Sequence, residues 1–149
     1  MFSDSKYLII AGVLSFIASA LHIAIIFGGA KWYLFFGAGE AMAELAESGS
    51  HYPTIVTSGI AVILFIWGLY CLSGAGVILR LPLLRTVLVI VTFVYLSRGI
   101  AGLVLPWVTE HPAVTQNSIA FWMISSVICC FFGFIHLMGL IKKWRALGE

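Results

Sequence analysis

Four long apolar runs constrain the fold of this chain more than any other feature of its sequence. Each run exceeds the roughly 20 residues that a helix needs to cross the ~30 Å hydrocarbon core of a bilayer. Lipid offers the backbone no hydrogen-bond partners, so runs of this length are predicted to be helices. The sequence therefore predicts membrane-spanning helices at about residues 7–29, 54–78, 86–108 and 117–141.

The composition agrees with this prediction and excludes several classes of protein. Of the 149 residues, 62% are hydrophobic and only 9% are charged, whereas a soluble domain is about one-quarter charged. Soluble domains, disordered segments and nucleic-acid-binding proteins all need denser charge. We expect an all-α bundle of four transmembrane helices that forms a single transmembrane domain over residues 1–149. Its main partner is the lipid bilayer, and no nucleic acid is expected.

The basic residues indicate how the chain is oriented. They concentrate at the two termini and in the connection between the second and third spans, whereas the other two connections are mainly acidic. By the positive-inside rule, we expect both termini and the second connection to face the cytoplasm. The basic residues that carry this prediction are Lys6, Arg80, Arg85, Lys142, Lys143 and Arg145.

The first connection, residues 30–53, is the only sizeable segment predicted to lie outside the membrane. Within residues 39–48, Met42 and Leu45 alternate with glutamates at helical spacing. This pattern is typical of a short amphipathic helix. We expect this helix to lie on the outer surface or over the mouth of the bundle.

Arg98 is the most informative single residue because it interrupts an otherwise uncharged span. A central arginine costs at least about 2.5–3.5 kcal/mol on insertion scales, so it should face the interior and have a partner. His22 on the first span has a similar predicted depth, and Tyr95 shares a helix face with Arg98. We therefore predict an outer-half polar cavity of His22, Tyr95 and Arg98, with Glu40 or Glu44 above it as counter-ion.

Structural interpretations compete with each of these sites. Arg98 and a glutamate would also serve as a clamp that pins the first connection to the bundle. His136 shares a face with Ser125 and Cys129, and an interhelical hydrogen bond explains it without a ligand. We predict no catalytic residue and no metal site. Glu40 and Glu44 lie four residues apart on one helix face but have no histidine beside them, and zinc sites generally use histidine or cysteine.

In size and layout the chain resembles small four-helix bacterial inner-membrane proteins, including the DoxX-like group. The segment GGAKWYLFFGAGEAMAELAESGSHYPTIVTSG, residues 28–59, also resembles a stretch of uncharacterised bacterial membrane proteins. The resemblance implies a bacterial inner membrane location and a link to quinone-related or thiol redox systems. It carries over no catalytic residue, because fold-level likeness does not transfer a site.

Three hypotheses about function follow. The leading one is a protein without enzymatic activity that binds or transports a small solute or ion through the outer-half cavity. The second is an accessory or assembly subunit of a larger membrane complex, and the third is a DoxX-like redox subunit. An enzyme is disfavoured because no nucleophile–base pair is visible. We expect a homo-oligomer or a partner membrane protein, since small residues are abundant in the spans. No cofactor is predicted, although haem and quinone stay open.

Overall fold

A computed structural model describes the backbone of residues 2–148 and the side chains of residues 5–148. Four of its helices are long and apolar enough to cross a membrane. At about 1.5 Å per residue, each exceeds the ~30 Å hydrocarbon core. The predicted all-α, multi-pass membrane architecture is confirmed. The four spans are α1 (Phe2–Gly28), α4 (Tyr52–Ala75), α5 (Leu84–Val108) and α7 (Ile119–Lys143).

Short helices occupy two of the connections. The predicted amphipathic helix is present as α3 (Glu40–Glu47), between the first two spans. It is preceded by α2 (Ala30–Phe35), which the sequence did not predict, and α6 (Pro112–Thr115) precedes the last span. The backbone separates α2 from α3 with glycines at positive φ, 78° at Gly37 and 91° at Gly39. Only glycine adopts such angles readily, which explains why two helices form here instead of one.

The spans are arranged as two helical hairpins. α1 packs most extensively on α4, and α5 on α7, while the two hairpins meet mainly through α1 and α7. The contact between α4 and α5 is smaller. Around the bundle the order is therefore α4, α1, α7, α5, and α1 lies diagonally opposite α5.

Glycines bring the paired helices close together. A Cβ atom added to Gly12 on α1 would lie 3.2 Å from the carbonyl oxygen of Gly68 on α4. One added to Gly99 on α5 would lie 2.8 Å from the backbone nitrogen of Cys130 on α7. A side chain at Gly12 would be tightly packed, and one at Gly99 would require its neighbours to move. Small residues at such crossings let membrane helices gain van der Waals contact.

α4 ends, and α5 begins, beside a residue with left-handed backbone. α4 stops at Ala75 because Gly76 adopts φ 79°, and the Val77 amide then donates to the Leu72 carbonyl at 2.9 Å. This left-handed termination ends the helix three residues before the apolar run does. α5 is preceded by Leu83 at φ 52°. We call the end of the bundle that carries both termini and residues 76–83 the basic end, and the opposite end the α3 end.

Candidate functional site

Within the described residues, His22 and Arg98 share no hydrogen bond. His22 is half-buried on α1, and its Nδ1 atom lies 2.8 Å from the Ala18 carbonyl oxygen of the same helix. α1 is diagonally opposite α5, so a contact between the two side chains would have to cross the middle of the bundle. The contacts that the structure gives for His22 stay within α1.

Arg98 points toward α7. Its guanidinium carbon lies 4.7 Å from the centre of the Trp122 ring, a cation–π contact worth about 0.5–2 kcal/mol depending on desolvation. Gly102, one turn further along α5, creates the necessary space, since a Cβ there would lie 2.5 Å from Arg98 Nη1 and would also meet Ser126 Oγ. The side chain is half-buried, and its Nη1 atom is buried without a hydrogen-bond partner.

Tyr95 lies one turn before Arg98 and is 8% exposed. Its ring packs between Trp67 on α4 and Phe132 on α7, at centroid distances of 5.4 and 5.5 Å. The His136 ring is closer, at 5.0 Å. The Tyr95 hydroxyl lies beside Ser15 of α1, although neither oxygen makes a hydrogen bond that satisfies it. Tyr95 is thus grouped with Ser15 and His136.

The two glutamates predicted as counter-ions lie on the outer surface of α3. Glu40 and Glu44 are both exposed, and neither is a partner of the buried Arg98 Nη1 atom. The first connection is instead held to the start of α7, where Asn117 Nδ2 donates to the Gly37 carbonyl at 3.1 Å. This hydrogen bond attaches the connection to the bundle without an ion pair to Arg98.

His136 is almost completely buried, with 1% of its surface exposed. Its Nδ1 atom lies 2.8 Å from the Phe132 carbonyl oxygen. A carbonyl only accepts, so we assign the ring proton to Nδ1, and Nε2 becomes an acceptor. That Nε2 atom is buried and has no partner.

Together these groups form a line of unsatisfied polar atoms inside the bundle, which we call the polar column. Its members lie on α1, α5 and α7, and each has a buried atom without a hydrogen-bond partner. Leaving one such atom unpaired costs about 1–3 kcal/mol, and native proteins contain few of them. The polar column consists of Ser15 Oγ, Tyr95 OH, Arg98 Nη1, Ser126 Oγ and His136 Nε2.

Sequence reasoning found three members of the polar column but missed their grouping. It placed Ser125 on the face of His136, whereas Ser125 Oγ donates to the Trp122 carbonyl of its own helix at 3.3 Å. Ser126 is the fully buried serine. The sequence could have indicated that Ser126 is buried through its spacing from Gly133, because residues seven apart share a helix face. Cys129 and Cys130 are free thiols, both half-buried.

Comparison with known proteins identifies no family for this chain. No known family model, no curated protein and no solved structure matches this chain. The DoxX-like resemblance therefore rests on size and layout alone. Within the part of the chain that the structure describes, no three His, Cys, Asp or Glu side chains lie close enough together to hold a metal ion.

Proposed function

We propose that this integral membrane protein binds a small solute with an anionic group, and that the polar column receives it. The observation that carries this proposal is the concentration of five unsatisfied polar atoms within one bundle interior. An anionic ligand would satisfy Arg98 Nη1 and Ser126 Oγ together, since both lie at the space above Gly102.

Arg98 is the group that would receive the anion. It is the only charged residue of the column, and Ser126 Oγ lies next to its Nη1 atom across the space above Gly102. A guanidinium and a hydroxyl side by side suit a carboxylate or phosphate oxygen, because charge-assisted hydrogen bonds are about twice as strong as neutral ones. The indole ring of Trp122 holds the guanidinium in place.

The position of the free Nη1 atom favours a small ligand over a partner subunit. This atom is buried between α5 and α7. A carboxylate on a partner helix would approach from the lipid-facing surface and would meet the exposed part of the arginine. A small solute bound at Nη1 would instead lie between α5 and α7, beside Ser126 Oγ.

Arg98→Gln tests this proposal, with Ser97→Ala as its matched control on the neighbouring exposed position. The purified protein would be heated with succinate, benzoate or inorganic phosphate, each an anion of different shape. We expect at least one anion to raise the melting temperature of the wild type and of Ser97→Ala. The shift should vanish in Arg98→Gln and shrink in Ser126→Ala, because each loses a donor to the anion.

Two outcomes would contradict the proposal. If Arg98→Gln keeps the same stabilisation by the anion, the guanidinium does not bind it. If Arg98→Gln does not fold and Ser126→Ala responds like the wild type, Arg98 is a structural clamp. Co-purification of a stoichiometric second membrane protein that cross-links beside Arg98 would favour the accessory-subunit hypothesis.

A further inference from the structure

A second polar site lies at the basic end, remote from the polar column. The connection between α4 and α5 and the C-terminal segment after α7 line a cavity of about 510 Å³ that is open to the surface. Two arginines are the only charged residues that line it within the described chain, and no acidic side chain does. Its lining residues are Arg80, Leu81, Pro82, Leu83, Leu84, Arg85, Thr86, Leu147 and Gly148.

The connection that forms one wall is fixed by α4. Ser73 Oγ donates to the Leu79 carbonyl and accepts from the Leu81 amide, both at 2.9 Å. Tyr70 donates its hydroxyl proton to the Pro82 carbonyl at 3.1 Å. Three hydrogen bonds over four residues hold this wall in one conformation, so the cavity is a built feature of the fold.

Arg80 holds the opposite wall. Its Nη1 and Nη2 atoms donate to the carbonyls of Ala146 and Leu147, at 3.1 and 2.7 Å. Leu147 is 2% exposed and belongs to the hydrophobic core at this end. A guanidinium has five N–H donors, so the two hydrogen bonds leave Arg80 able to donate into the cavity.

Arg85 has donors to spare as well. Its guanidinium stacks on the Trp144 ring, 3.6 Å from the ring centre, and its Nε atom is buried without a hydrogen-bond partner. Stacking on an aromatic ring fixes the plane of a guanidinium while its edge stays free to donate. The first turn of α5, which includes Thr86, adds backbone N–H groups that no side chain caps.

We infer that this cavity binds a phosphate group, held by the guanidinium groups of Arg80 and Arg85. Arginine forks match phosphate oxygens in two-point hydrogen bonds, and uncapped N–H groups at a helix start add to the attraction for an anion. None of these residues belongs to the polar column, so the inference stands apart from the proposed function. The phosphate belongs either to the headgroup of an anionic phospholipid or to a soluble phosphate compound.

Arg85→Gln tests the site, and Lys142→Gln is its matched control. Lys142 lies at the same end and carries the same charge, but it contacts the Tyr7 ring and does not line the cavity. Detergent-solubilised protein would be titrated with dihexanoyl phosphatidylglycerol, dihexanoyl phosphatidylcholine and inorganic phosphate, and bound molecules counted by native mass spectrometry. We expect one phosphatidylglycerol per chain, bound at least about tenfold more weakly by Arg85→Gln because a charge-assisted hydrogen bond is lost. Lys142→Gln should bind like the wild type.

The arms of this experiment separate the two sources of phosphate. Binding of phosphatidylglycerol but not of inorganic phosphate identifies a lipid site, and equal binding of both identifies a site for soluble phosphate compounds. Arg85→Lys keeps the charge without the planar fork and should bind more weakly than the wild type. This comparison keeps the test valid if the glutamine variant is unstable.

Three results would overturn the inference. The first is equal weakening in Arg85→Gln and Lys142→Gln, which would show charge attraction without a site. The second is no binding of either phosphate probe by the wild type. The third concerns Glu149, which follows Gly148 directly and lies outside the described residues. If Glu149→Gln binds phosphate and the wild type does not, the wild-type cavity does not accept phosphate.

Discussion

At the scale of single residues, the absence of a side chain at Gly102 determines where Arg98 lies. Arginine is long enough to reach several parts of the bundle, but Gly102 opens one space for it between α5 and α7. Trp122 and Ser126 form the far side of that space. The sequence singled out Arg98 because a charge is costly in lipid. It did not predict the neighbours of Arg98, because they depend on the space that Gly102 leaves.

Gly102→Ala should therefore destabilise the protein. The added methyl group would meet Ser126 Oγ and Arg98 Nη1, and overpacking of this kind costs about 1–3 kcal/mol. Gly59→Ala is the control, since a Cβ at that helical position meets nothing within 4 Å. There, replacing glycine in a helix should be neutral or stabilising by up to about 1 kcal/mol. Unfolding of both variants in a denaturing detergent gives the comparison, and equal stability of the two would contradict the packing described for Arg98.

At the scale of secondary-structure elements, the sequence predicted the long helices well and their ends less well. The length of an apolar run sets whether a helix spans the membrane, but local backbone geometry sets where it stops. The second run continues to Ile78, and Gly76 ends the helix earlier by adopting φ 79°. α2 was missed because Ala30–Phe35 is short and lacks alternating polar positions.

Gly76→Ala tests the termination of α4. A Cβ at this position meets nothing within 4 Å, so any cost comes from the left-handed backbone, about 1–2 kcal/mol for an L-residue. Gly76→Asn should lose less stability, because asparagine tolerates this conformation better. Equilibrium unfolding of the two variants distinguishes them. If alanine is as stable as glycine here, α4 does not end in the way the structure shows.

The candidate site shows where prediction from one sequence stops. Helix periodicity correctly placed Tyr95 and Arg98 on one face of α5, because residues three apart are neighbours on a helix. Matching His22 to Arg98 by depth also required the order of helices around the bundle, which depends on packing between distant segments. α1 packs on α4 and α7 and lies diagonally opposite α5, yet Ser15 reaches Tyr95 across the middle of the bundle.

At the scale of the whole molecule, the charged residues separate into two ends. Lys6, Arg80 and Arg85 lie at the basic end with Lys142, Lys143 and Arg145, while the glutamates of α3 lie at the other end with Lys31. We propose that the basic end faces the cytoplasm, because positive loops are retained there. The same assignment would place the Arg80–Arg85 cavity at the inner leaflet, where anionic lipids attract basic residues by about 1 kcal/mol each.

Cysteine labelling tests this orientation. Ser48→Cys and Arg145→Cys place thiols at exposed positions on opposite ends, while the native cysteines lie within the spans. A membrane-impermeant maleimide applied to intact cells should label Ser48→Cys and leave Arg145→Cys unlabelled until the cells are lysed. The reverse pattern would place the basic end outside. The unsubstituted chain measures background from the native thiols.

The two hairpins contact each other unevenly. α1 packs extensively on α7, whereas the contact between α4 and α5 is smaller. On the side of the smaller contact, the Trp67 and Tyr95 rings meet edge to face. If the hairpins separated on this side, the two rings would part and the middle of the bundle would open sideways, to the surrounding lipid.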